Sequence, residues 1–222
     1  MTPPHLREKT DLSWQNQVID VGTSSKEETA SLGIEVLDYA VFRKQISILN
    51  DKYVAVRSLD DRSGCLALLD LLDMLMETDL DRRIVFAWTV QEEIGLIGAR
   101  ALSERLKPNL FFPVDSFACC SRLTGDVKPG NGPVLRMSDT SSLGDYGLGK
   151  RLMEFSRERD IPLQMGVTGG GTDGIPFQQK GKKMVPLAMA VKYLHSETEY
   201  ISMEDYDNLV RLMFLISTEF TV

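Results

Sequence analysis

From residue 59 onward the apolar positions follow two alternating rhythms. Leu66, Leu69, Leu72 and Met76 recur three or four apart, which predicts a helix over 63–76. Residues 83–90 are β-branched and aromatic, set off by Asp79–Asp81 on one side and a glutamate pair on the other, and read as a strand. A helix is expected over 98–106 and a buried strand over 110–114. Residues 143–158 put Leu148, Leu152 and Phe155 on one helical face. A strand over 161–166, a short helix over 172–179, a strand over 184–191 and a closing helix over 203–220 follow. Strands alternating with helices argue an α/β fold, a layered sheet with helices on its faces.

The first 57 residues have a different texture. Strand-like pieces at 17–21, 40–42 and 53–56 are separated by polar turns such as Gly22-Thr23-Ser24-Ser25. Ser24 or Ser25 is placed to cap a helix over 26–32 that Gly33 closes. Two domains are expected: a small β-rich one over 1–57, and the α/β one over 58–222.

Composition narrows the chemistry. A chain of 222 residues with 43% hydrophobic and 26% charged positions is an ordinary globular protein, which excludes disorder as the main state. Lys plus Arg is 25 against 32 Asp plus Glu, a net charge of −7, so nothing draws the chain to nucleic acid or an anionic membrane. No run approaches the ~18 apolar residues of a membrane span. Nor does the start resemble a signal peptide, so a cytoplasmic location is expected. Cys65, Cys119 and Cys120 make a poor disulfide framework and read as buried thiols. With only His5 and His195 against 32 carboxylates, any metal site must lean on oxygen ligands.

Four polar clusters fall at predicted strand ends, where such sheets collect chemistry. Asp60-Asp61 precedes a helix and, taken alone, reads first as a cap. Glu92-Glu93 ends the strand over 83–90. On an extended segment the two side chains point to opposite faces, so one can bind a metal while the other serves as general base. Asp115 closes the apolar run Phe111-Phe112-Pro113-Val114 and needs an arginine, a cap or a metal to be buried. His195 follows the strand over 184–191. Singly each has a structural explanation. Together they supply the hard oxygens and imidazole that two divalent ions require, with one carboxylate free to take a proton.

The rivals are weaker. Gly144-Asp145-Tyr146-Gly147-Leu148-Gly149-Lys150 fits GxxxxGK, but Arg151 stands where a phosphate loop needs Ser or Thr, and a helix start explains it as well. Paired carboxylates also cleave glycosides, without metal.

These residues resemble the dinuclear-metal aminopeptidases that form tetrahedral assemblies, also called deblocking or glutamyl aminopeptidases. The matching pieces run in order through Pro3-Pro4-His5, Asp20-Val21-Gly22-Thr23-Ser24-Ser25-Lys26-Glu27-Glu28, Leu59-Asp60-Asp61-Arg62-Ser63-Gly64, Gln91-Glu92-Glu93-Ile94-Gly95, Val114-Asp115, Gly170-Gly171-Thr172-Asp173 and Tyr193-Leu194-His195-Ser196. The resemblance implies a zinc-peptidase catalytic domain over 58–222, a mixed sheet flanked by helices, and part of an inserted β-rich domain over 1–57 that serves dimerisation and substrate access. It implies Asp60 as a carboxylate bridging two ions, joined to Asp61 by an unusual peptide bond. It makes Glu92 the general base, Glu93 and His195 ligands of the first metal, and Asp115 a ligand of the second. Gly171, Thr172 and Asp173 would form a loop at the substrate pocket.

Zinc and cobalt both suit this ligand mix. Peptide substrates and a homo-oligomer are implied. Family members carry a further histidine in a His-x-Asp motif upstream of Pro-Pro-His. Its absence implies an N-terminally incomplete member with only one fully liganded metal, impaired or reduced to an inactive, assembly-only remnant.

Overall fold

A computed structural model describes residues 13–221. The chain divides between Phe42 and Arg43 into two compact units. The described part of the first holds a 3-10 turn at Trp14–Asn16 and helix α1 (Lys26–Ser31). As expected, Ser25 caps α1: its hydroxyl accepts the Glu28 N–H at 3.1 Å, satisfying one of the orphan donors of the first turn. The strands expected at 17–21 and 40–42 do not form. Among the described residues neither run belongs to a strand, and Val18 and Val41 stand 88% and 60% exposed, so a β-favouring composition alone does not make a strand there.

The second unit holds everything that concerns the site. Strands β1 (Ser47–Leu49) and β2 (Tyr53–Val56) form an antiparallel hairpin. β2 pairs in turn with β9 (Glu199–Ser202), which ties the 47–56 segment to the α/β body. Two short strands, β3 (Leu110–Phe111) and β7 (Lys183–Met184), run parallel. The main sheet has the order β4-β8-β5-β6, from β4 (Val114–Ala118), β8 (Leu187–Val191), β5 (Val134–Ser138) and β6 (Gln164–Val167). β4 is parallel to β8, β5 is parallel to β6, and β8 meets β5 antiparallel, so the sheet is mixed.

All five residues of β8 are buried, the continuous apolar run expected of a central strand covered on both faces. Helices α2 (Leu59–Leu75), α4 (Tyr146–Arg157) and α6 (Met203–Thr218) pack around it. Leu71, Leu152, Leu209 and Leu212 meet Leu187 and Met189 in one core. The predicted face Leu148, Leu152, Phe155 of α4 is buried as a block. The carboxylate of Asp145 caps α4 by accepting the Leu148 N–H at 2.8 Å, so the GxxxxGK run is a capped helix start rather than a phosphate cradle. Helices α3 (Ile97–Arg105) and α5 (Ile175–Gln178) complete the unit.

The run over 83–90 takes no regular structure, and among the described residues its backbone joins no strand. Its composition favours β structure, but a strand also needs a partner ladder. Ile84 and Phe86 pack on the core, and the Trp88 indole N–H donates to the Cys65 carbonyl at 3.3 Å. Three strands, β1, β5 and β9, were not expected from sequence. No helix among the described residues is long and apolar enough to cross a membrane.

Candidate metal centre

The cavity is lined by Asp115 and Ser116 of β4 and by Leu194 and His195 beyond β8, and has a volume of about 480 Å³. That is within the size range of small-ligand sites. Asp60, Glu92, Glu93, Asp115, Gly171 and His195, all singled out from sequence, line it together.

Asp60 and Asp61 sit at the start of α2, joined by a cis peptide bond. Neither has helical backbone angles, and the two divide their roles: Asp60 turns into the cavity, while Asp61 caps the rest of α2, its carboxylate accepting the Gly64 N–H at 3.1 Å. Glycine is needed at 64, because a Cβ there would lie 2.8 Å from the Asp61 Cγ. Glu92 and Glu93 follow the 83–90 run, where Gln91 adopts a left-handed conformation (φ 57°) and a turn closes with Leu96 N–H on the Glu92 carbonyl at 3.0 Å. The alternation expected of a strand therefore does not apply to the pair. Both glutamates face the cavity instead of opposite faces of a sheet.

His195 lies between β8 and β9, also left-handed (φ 61°). Its Nε2 is 2.8 Å from Asp60 Oδ2 and 3.5 Å from Glu93 Oε2. Ligand atoms of Asp60, Glu93 and His195 all lie within 4.8 Å of one another, and so do those of Asp60, Asp61 and Asp115. A tetrahedral cation with bonds of about 2.0–2.2 Å spaces its ligands about 3.3–3.6 Å apart, so both groups are near the size of a divalent-ion site. Asp60 is common to the two.

The electrostatics support the same reading. Burial raises the Asp61 carboxyl well above the ordinary range, and the Asp115 and Asp60 charges raise it further. Burial also raises Asp115, with Asp60 adding to the effect and Arg136 opposing it. Burial and the neighbouring Glu93, Asp173 and Asp60 charges push Glu92 up to about 7. So many carboxylates converging without cations make an unfavourable arrangement that a divalent ion relieves. The residues present fit such ions: hard oxygens with one imidazole.

The glycine-rich loop is placed unevenly. Gly171 lines the cavity. Thr172 is wholly buried, its Oγ1 accepting the Gly174 N–H at 3.2 Å, so it shapes the loop and does not reach the cavity. The Asp173 carboxylate accepts a short hydrogen bond from the Thr89 hydroxyl, beside the glutamate-bearing segment. Pro3, Pro4 and His5 lie outside the described residues.

Two further residues organise the site and have no clear signal in the sequence. Arg136, in β5, is only 4% exposed. It donates to Asp139 (3.1 Å), Asp115 (3.5 Å) and the Ser116, Gly169 and Gly171 carbonyls (3.1, 2.9 and 3.0 Å). A lone arginine between Leu135 and Met137 gives no motif; only the mate-seeking Asp115 pointed to such a partner. The second is Glu199, at the start of β9, a buried carboxylate with no motif around it.

A family profile described as M42 glutamyl aminopeptidase matches residues 1–212. A putative aminopeptidase of Acetivibrio thermocellus is 31% identical over 94% of this chain and 64% of its own length. A lysyl aminopeptidase of Pyrococcus furiosus is 30% identical over 95% of this chain and 63% of its own. Among solved structures, the TET1 peptidase of Pyrococcus horikoshii, described as assembling into a tetrahedron or a large octahedral shell, superimposes with a TM-score of 0.90 at 45% identity, covering 99% of this chain and 67% of that one. The chain thus spans just under two thirds of the two curated relatives it matches.

Proposed function

The chain belongs to the M42 glutamyl aminopeptidase family, and from that premise we propose that it removes N-terminal residues from peptides by metal-dependent hydrolysis at the Asp60–His195 cavity. The observation that carries this is the convergence of Asp60, Glu93 and His195, and of Asp60, Asp61 and Asp115, on two points that share one carboxylate. Zinc or cobalt would be held by Asp60, Glu93 and His195 at one point and by Asp60 and Asp115 at the other. Bound there, the ions would lower the pKa of water toward neutrality and polarise the scissile carbonyl.

The chain's own groups do the rest. Glu92 faces the cavity without serving as a ligand in either cluster, and its raised pKa suits a group that takes a proton near neutral pH. Its carboxylate would accept the proton of the attacking water and pass it to the leaving amine. The surplus of carboxylates around the cavity gives a free α-amine an electrostatic partner, which favours cleavage at chain ends. Gly171 presents backbone at the cavity wall, and Arg136 holds its carbonyl in place. We propose that the Asp60–Asp115 point is the weaker of the two, because it offers carboxylates alone and no imidazole.

Self-association is part of the same reading. Val36, Leu37 and Tyr39 are 88%, 95% and 90% exposed. Clustered apolar exposure of this kind suits a subunit contact. A cytoplasmic, homo-oligomeric peptidase acting on small peptides accounts for these features. The test is hydrolysis of a free versus an N-acetylated peptide, with and without chelator. Turnover of the free peptide alone, lost on chelation, supports the reading. Cleavage that ignores either condition overturns it, and chelator-insensitive cleavage of a glycoside would favour a two-carboxylate glycosidase instead.

A further inference from the structure

Glu199 is 2% exposed, and among the described residues no cation pairs with it. Burying a carboxylate in this way is unfavourable unless strong donors replace its water. The donors are two backbone amides, and both belong to residues of the candidate metal centre. Oε2 accepts the Asp60 N–H at 3.0 Å and Oε1 accepts the His195 N–H at 2.7 Å. One side chain thus fastens two residues that lie on separate elements, 139 positions from itself in one case and four in the other.

Each bond fills a gap in local structure. At the start of α2, Ser58 makes no side-chain cap, so the Asp60 amide would otherwise lack a partner. His195 occupies a left-handed conformation that few non-glycine residues adopt without support. β9 pairs with β2, Glu199 opposite Val56, which fixes the Glu199 backbone beside the chain that enters α2.

We infer that Glu199 is a positioning residue of the metal centre, its two carboxylate oxygens setting the separation of Asp60 and His195 through their backbone amides. The inference rests on the reading of Asp60, Glu93 and His195 as metal-holding. It touches no substrate and donates nothing to the metal; it determines how nearly the first ligand set is formed before an ion arrives. Residues that orient ligands typically change metal affinity about 10- to 100-fold when removed. Glutamine at 199 would retain one acceptor and turn a donor toward the other amide, so it should break one of the two links without altering size.

The test is a titration of the full chain with Co²⁺, followed by the visible absorption of the bound ion, in wild type, Glu199→Gln and His195→Ala. Thermal unfolding of each metal-free protein runs alongside. The expected result is Co²⁺ affinity about 10- to 100-fold weaker in folded Glu199→Gln, and loss of the imidazole-bearing site in His195→Ala. Unchanged affinity in a folded Glu199→Gln protein would reduce Glu199 to an ordinary structural residue and overturn the inference. If wild type and His195→Ala bind Co²⁺ alike, the metal reading itself fails. Amide exchange in wild type decides the geometry even if the variant does not fold. The Asp60 and His195 amides should exchange far more slowly than the amide of exposed Glu197, whereas exchange at the Glu197 rate would overturn the clamp.

Discussion

Replacing Glu92 by Gln should stabilise the metal-free protein above neutral pH and leave it nearly unchanged in mild acid. The Glu92 carboxyl is raised from 4.5 to about 7, first by burial and then by the Glu93, Asp173 and Asp60 charges. Its folded-state pKa is above the unfolded one, so between those values the folded chain holds a proton that the unfolded chain has released. Stability therefore falls as pH rises through that window and is flat on either side. The full shift corresponds to about 3 kcal/mol. Glu92 is half-exposed, and solvent screening reduces this to about 1–2 kcal/mol. The Glu92 charge also raises Asp61 and Asp115, so its removal relieves them in the same direction. Urea unfolding in chelator, at one pH below and one above the window, measures the effect as a double difference. A Gln variant no more stable than wild type on the alkaline side would refute the electrostatic account of this cavity.

Zn²⁺ or Co²⁺ should raise the unfolding temperature of wild type and release protons on binding, since the raised carboxyls must ionise to become ligands; calorimetry in two buffers of different ionisation heat gives the proton count. Arg136→Met should destabilise by about 3–5 kcal/mol, because it leaves Asp115 and Asp139 without their cation and three carbonyls without this donor; denaturant melts measure it, and Arg136→Lys, with one compact ammonium in place of a fork, should recover only part. Gly64→Ala should lose about 1–3 kcal/mol and weaken metal binding, because its Cβ displaces the Asp61 carboxylate that accepts the Gly64 N–H. Leu212→Ala, at a position with no exposed surface, should lose about 2–5 kcal/mol with metal affinity intact, a control for stability alone.

Much of the site was legible because its residues sit where apolar runs stop. His195 follows the buried strand β8, as expected, whereas Asp115 lies inside β4 instead of closing the strand before it: the ladder begins at Val114 and runs on to Ala118. The α4 face and the Ser25 cap were equally plain, since both are local patterns. What the sequence concealed is long-range. Arg136 and Glu199 act through hydrogen bonds to residues up to 139 positions away, and nothing in their immediate neighbours encodes those partners. β1 and β9 are three and four residues long and exist by pairing with β2, which periodicity cannot detect. The 83–90 run errs the other way, having strand composition but no ladder. The glutamate pair shows why an alternation argument breaks at an element end: one left-handed residue, Gln91, brings both side chains to the same cavity.

The most direct measurement compares turnover of an unblocked peptide by wild type and Glu92→Gln, each loaded with the same divalent metal and analysed for bound ion. If Glu92 is the base of a metal-dependent aminopeptidase, the variant keeps its metal and loses about 10²- to 10⁴-fold in rate. Equal turnover by the two proteins, or a metal-loaded wild type that releases no N-terminal residue, would contradict that assignment.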